Sequence, residues 1–179
     1  MPELNALASS STTHHMTRLD FLVEEDFDEF RARFEQAVPP LDSAKMTELA
    51  KADASWDEMR AEVARYAPHE FMIYARIDGT PLMRLAGHQV SCIEYLMGNH
   101  VIAERMFRHD PTTLLYAPLR ILLYRVGAGR TMFTIDQPST VFGGLDNPAI
   151  TEVGHELDDK LAALLHHLGV GKPEQGLVP

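Results

Sequence analysis

The sequence predicts an α+β domain: a single, mainly antiparallel sheet with helices packed on one face, in the element order β-α-β-β-β-α-β-β-α. Two observations carry this. Between residues 71 and 136 the apolar residues recur every second position in short runs separated by turn residues, the period of half-buried strands. Before and after that region they recur at helical spacing, so the helices have one apolar stripe to lay against a sheet with one apolar face.

The elements follow in order. "RLDFLV" alternates and predicts a first strand over residues 18–23. In "EEDFDEFRARFEQAV", Phe27, Phe30, Phe34 and Val38 share one helix face; the acidic start suits the helix dipole, and Pro39-Pro40 end the helix. Residues 41–66 predict a helical insertion of one or two helices, with Asp42 or Ser43 as cap. Trp56, Met59, Val63 and Tyr66 form a stripe there, with Trp56 expected as a core anchor. Strands are predicted at "FMIYARI", "PLMRLAG", "SCIEYLM", "PLRILLYRV" and "RTMFTID", with Asp78-Gly79 and Gly127-Ala128-Gly129 as turns. "HVIAERMFRH" is a helix between the third and fourth of these. A last helix is capped by Asn147, carries Pro148 in its first turn and ends at Gly169.

Strand parity divides the side chains. Phe71, Ile73, Ala75, Ile77, Met83, Leu85, Ile93, Tyr95, Met97, Leu119, Ile121, Leu123, Phe133 and Ile135 are expected under the helices. The other parity carries Tyr74, Arg76, Arg84, His88, Cys92, Glu94, Arg120, Tyr124, Met132 and Thr134, interspersed with Leu96, Leu122 and Val126. That second face is too apolar for plain solvent surface, so a cover is expected over it.

Composition limits the function classes. At 179 residues the chain suits one domain, expected over 17–170 with flexible tails at 1–16 and 171–179. A formal charge of −10 argues against nucleic acid or an anionic membrane as partner, because binding phosphates takes clustered Lys and Arg. Cys92 is the one cysteine, which excludes an intrachain disulfide and a Cys-rich zinc site and fits a reducing cytoplasm. The N-terminal stretch lacks the basic and apolar regions of a secretory signal, and no run reaches the roughly 18 apolar residues of a membrane span.

The succession "YLMGNH", a short helix, "DPTTLLYAPLRILLY", a turn and "TMFTIDQP" resembles the bacterial family called domain of unknown function 302. Its best matches are Gly98-Asn99, Pro118-Leu119-Arg120, Tyr124 and Asp136 with Pro138. The resemblance covers about residues 18–169. It implies a compact α+β domain related in shape to TATA-binding-protein-like folds and no established activity. His100 stands where the family pattern has Pro, and Gln137 separates Asp136 from Pro138.

The candidate ligand-binding residues are Arg84, His88, Glu94, Asn99, His100, Arg120 and Tyr124. Asn99 can cap the helix that follows; with His100 it can also offer N–H groups and an imidazole to a carboxylate or phosphate. His100 can pair with Glu104 one turn on. Arg84, Glu94, Arg120 and Tyr124 share the uncovered face by parity, where two guanidiniums could clamp a carboxylate beside Glu94 or His88. A cross-strand ion-pair network is the plainer reading. His88 and Cys92 are about 13 Å apart on a continuous strand, too far for a nucleophile-base pair.

"HELDD" at His155 carries Asp159 where a zinc-protease helix has its second His, so an acidic solvated helix is the simpler account. "VFGGLDNP" lacks the Lys and spacing of a phosphate loop and reads as turn plus cap. The function expected is a small-ligand-binding domain, with or without enzymatic activity, that holds an anionic or amphipathic metabolite on the polar sheet face. Two alternatives stand beside it: a module that dimerises through the open face, and a metal or haem protein ligated by His88 or His100. The sequence names no cofactor.

Overall fold

The computed structural model describes residues 11–171. Five strands form one antiparallel sheet in the order β1-β5-β4-β3-β2: β1 (Arg18–Val23), β2 (Met72–Asp78), β3 (Cys92–Gly98), β4 (Leu119–Val126) and β5 (Arg130–Asp136). The helices are α1 (Phe27–Ala37), α2 (Ser43–Lys51), α3 (Trp56–Tyr66), α4 (Thr80–Leu85), α5 (His100–Phe107), α6 (Pro138–Gly143) and α7 (Pro148–His167), with a 3₁₀ turn at Pro111–Leu115.

One sheet face makes the core. Phe21, Ile93, Tyr95, Met97, Ile121, Leu123, Phe133 and Ile135 are buried against Phe27, Phe30 and Phe34 of α1, Ile102 and Met106 of α5, Phe142 of α6 and the apolar stripe of α7. Phe34 meets Tyr95 and Phe133 edge-on, with centroids 5.0 and 6.0 Å apart. An aliphatic or aromatic side chain buried this completely contributes about 1.5–3 kcal/mol. The Tyr95 hydroxyl donates to Glu35 of α1 at 2.5 Å, so the deepest phenol is not orphaned.

Local signals produce most element ends. Asp26, Asp42, Ser55, Asn99 and Asn147 each accept backbone N–H groups at a helix start, and Ser55 with Glu58 forms a capping box. The β4–β5 hairpin turns through Gly127 and Gly129, both at positive φ, as anticipated from the Gly-Ala-Gly triplet. The 41–66 region is two helices, α2 and α3.

Four expectations need correction. "PLMRLAG" is not a strand and Asp78-Gly79 is not a hairpin turn: the chain enters α4 at Thr80, with Pro81 in the first turn, so the sheet has five strands. Met83 and Leu85 are consequently exposed, not core. A bulge at Tyr74 shifts the β2 register, so that Ile73 faces Met97 but Arg76 faces Tyr95. Beyond it the parity is reversed. Ala75 and Ile77 go to the open side, and Arg76 goes to the helix side, 3.3 Å from Glu35. Trp56 is 41% exposed at the start of α3 and anchors no core. The residue that does is Val63, which packs with Ala67 on Met72 and covers one corner of the otherwise open sheet face.

The outer edge of β2 is shielded. Ile73 donates to the Pro39 carbonyl and accepts from Leu41 N–H, at 2.9 and 2.8 Å, so residues 39–41 close part of that edge. Residues 11–16 have no regular structure, although His14 meets Tyr116 edge-on at 5.6 Å. The remainder of the two tails lies outside the described residues.

Candidate functional site

Asn99 and His100 sit where β3 ends and α5 begins. The Asn99 side-chain oxygen accepts from Val101 N–H at 2.9 Å and Ile102 N–H at 3.4 Å, and its amide donates to the Glu70 carbonyl at 2.8 Å. The structural role expected of Asn99 is therefore filled, and two of the helix's free N–H groups are taken by the protein itself.

His100 turns toward β2 and α3. Its Nδ1 lies 2.8 Å from the Tyr74 hydroxyl and its Nε2 3.3 Å from the Met59 sulfur. Burial holds the His100 imidazole below its usual range and pushes the Tyr74 phenol up to about 12. A thioether sulfur can only accept, so the neutral ring carries its proton at Nε2 toward Met59 and accepts from the phenol at Nδ1. Glu104 does not pair with His100, as the spacing suggested; it bonds Arg108 Nε at 3.1 Å, because His100 is already engaged on the sheet side.

Two features set the surroundings of the Tyr74 ring. The bulge gives β2 an extra residue there, and Gly98 on β3 lets Pro118 close in beside it: a Cβ on Gly98 would lie 3.2 Å from Pro118 Cβ, while the Tyr74 ring would be at an ordinary contact distance of 3.7 Å. Beside these residues lies a cavity of about 150 Å³. Its polar side chains are Tyr74, Asn99 and His100; its walls are apolar, with Ile102, Met106 and Phe142 among them. A larger hollow of about 500 Å³ lies between β1 and α7, rimmed by Val170 and Gly171, where the described residues end.

The predicted cluster on the open face divides. Arg120 Nε lies 2.8 Å from Glu94 Oε1, with the Arg120 side chain 74% exposed. Arg120 faces Leu96 and Glu94 faces Leu122, so this is a diagonal pair across β3 and β4. Tyr124 is half-buried opposite Cys92. Arg84 and His88 are not on the sheet: Arg84 lies on α4 and His88 in the exposed loop after it, because the expected strand is a helix. Among the described residues Arg84 has no ion-pair partner. The five main cavities include none lined by Arg84, Glu94 or Arg120.

Tyr74 and Met59 are the residues that sequence reasoning missed. Each was placed on a face or stripe, but nothing local joins residues 59, 74 and 100. A second missed contact is the pair His69 and His167, whose rings lie 4.1 Å apart; burial and the His167 charge lower the His69 pKa. His155 and Asp159 lie on α7, and no group of three or more His, Cys, Asp or Glu is placed to hold a metal among the described residues. "VFGG" falls in α6 and the turn after it, whose first N–H groups include Ser139 N bonded to Asp158 at 2.9 Å. No helix among the described residues is long and apolar enough to cross a membrane.

No curated protein matches the chain. A solved structure similar to it is an uncharacterized conserved protein DUF302 from Bacillus stearothermophilus, 16% identical, with a TM-score of 0.61 over 86% of this chain and 99% of the other; at this identity the likeness shows the fold alone. The family model described as domain of unknown function DUF302 matches residues 45–168, from α2 to the end of α7, and the chain belongs to that family.

Proposed function

We propose that the chain is a small-ligand-binding domain whose site is the cavity at the start of α5, and that its ligand is a compact amphipathic molecule, mostly apolar with one hydrogen-bonding group. The observation that carries this reading is an apolar chamber with the Tyr74–His100 couple in its wall. A cavity of about 150 Å³ with apolar walls is large enough for a molecule the size of benzene. Asn99 already occupies N–H groups at the helix start, which favours an amphipathic ligand over an anionic one. A reducing cytoplasm suits the single cysteine, and a charge of −10 disfavours nucleic acid as partner.

The test is a titration of methyl-labelled protein with phenol, indole and benzyl alcohol. Saturable shifts at Ile102 and Met106 are expected, and an Ala103→Leu variant, which narrows the chamber, should abolish them while leaving the far-ultraviolet spectrum unchanged. Shifts that survive in Ala103→Leu, or no saturable response to any of the three, would sink the reading.

A different observation favours a second role, self-association through the open sheet face. Leu22, Ile77 and Leu122 are exposed on that face, side by side with Leu96, Tyr124 and Met132. A homodimer is the arrangement in which such a face covers itself.

A further inference from the structure

Among the described residues, hydrogen bonds tie the segment between β2 and β3 to the rest of the fold only at its two ends: Ser91 accepts from Arg125 N–H of β4 at 3.0 Å, and the others cluster at Gly79–Thr80. Gly79 N–H donates to the Cys92 carbonyl at 3.1 Å, Thr80 Oγ1 bonds both the N–H and the carbonyl of Cys92, and Asp78 accepts from Thr80 N–H at 3.0 Å. Between these ends every residue from 81 to 90 is exposed. Four of them are large and apolar: Leu82, Met83, Leu85 and Val90, with Leu85 86% exposed. A helical turn that carries its apolar side chains into water has no packing reason to form within its own chain.

We propose that this arm docks on the open sheet face of a second copy, and that the second copy returns the contact, giving a two-fold exchange of arms. The inference rests on the reading of the open face as a contact between copies, and it specifies what covers that face. Three observations agree. The face offers a run of Leu22, Met132, Tyr124 and Leu122, with Ile77 beyond Glu94, to an arm whose own apolar residues are exposed. Five strands of six to eight residues give a face of roughly 550 Å² at about 4.8 Å between strands and 3.3 Å per residue, less the corner under α3. The ten-residue arm added to it brings the contact toward the ~800 Å² per partner of a stable interface.

The third observation is charge. Arg84 is the one Lys, Arg, Asp or Glu between Gly79 and Ser91, and it makes no ion pair among the described residues. On the face, Glu94 lies 2.8 Å from Arg120 and keeps its side chain 31% exposed, so its carboxylate is accessible to a second guanidinium from the partner's arm. The exchange would therefore unite Arg84, Glu94 and Arg120, the cluster that strand parity grouped within one chain.

Sedimentation of the full chain at concentrations up to about 100 μM reads the assembly, since interfaces of this size span micromolar to much tighter affinity. The wild type is expected to dimerise. Leu122→Glu on the face and Leu85→Glu on the arm should each give monomers with unchanged circular dichroism, and Arg84→Glu should weaken dimerisation at least about tenfold. In a Cys92→Ser background, a Leu85→Cys chain mixed with a Leu122→Cys chain should be joined by a short bismaleimide. A wild type that stays monomeric overturns both the self-association reading and the exchange. A dimer broken by Leu122→Glu but not by Leu85→Glu, with no 85–122 cross-link, overturns the exchange alone and leaves the face as interface.

Discussion

His100 is clamped between the Tyr74 hydroxyl and the Met59 sulfur, and its burial disfavours the imidazolium. A base whose pKa is lower in the folded than in the unfolded chain binds fewer protons when folded. Its contribution to stability is therefore complete above the unfolded value of about 6.5 and is lost as pH falls from there through the folded pKa. His69, lowered by burial and by His167, acts with the same sign. The lowered carboxylates Asp26, Glu58, Asp110 and Glu156 act only below the ordinary values of 3.8 for Asp and 4.5 for Glu, so the windows separate. The urea midpoint of the wild type should be flat from about pH 7 to 9 and fall as pH drops below about 6.5. His100→Gln should lose part of that decline and keep the part due to His69. Parallel curves for the two proteins would show that His100 titrates freely. At this scale the sequence marked His100 as notable but for another chemistry. Its partners lie 26 and 41 residues away, and only the fold brings them together.

The caps were legible because they are local. Asn99, Asn147 with Pro148, and Gly169 each act within four residues of their own position, and all three stand where the pattern put them. Asn99 has a further duty, since its amide ties α5 to Glu70 ahead of β2. Asn99→Ala should cost about 1–2 kcal/mol in urea unfolding, the upper part of the range for a lost cap, because a second bond goes with it. A loss below about 0.3 kcal/mol would mean that water replaces both. The elements that were misread are those whose determinant is not local. The bulge at Tyr74 is invisible in alternation, because register belongs to the pairing with β3 and not to β2 alone. Residues 81–87 fit strand and helix equally over so short a run; the strand reading required Met83 and Leu85 to be buried, and they are not. Thr80-Pro81 was the competing helix-start signal.

The whole molecule is a sheet with a buried side and an open side, and this much followed from period and parity on β3, β4 and β5. The strand order did not, because β1 pairs with β5 across more than a hundred residues, and no short-range signal selects that neighbour. The two sides can be weighed at adjacent positions of β4. Ile121 is fully buried between Tyr95 and Ile135, whereas Arg120 points out with its side chain 74% exposed and only Glu94 to hold it. Truncating Ile121 removes apolar contacts and leaves a hole that close-packed neighbours cannot fill, so Ile121→Ala should cost about 2–5 kcal/mol. Arg120→Ala removes a solvated ion pair and should cost no more than about 1 kcal/mol. Urea unfolding of both variants at one dilute concentration reads the difference directly. Near-equal losses would contradict the one-sided core. A large Arg120 loss that vanishes on dilution would instead place its guanidinium in the contact between copies, where removing it strands the Glu94 carboxylate in a surface no longer open to water.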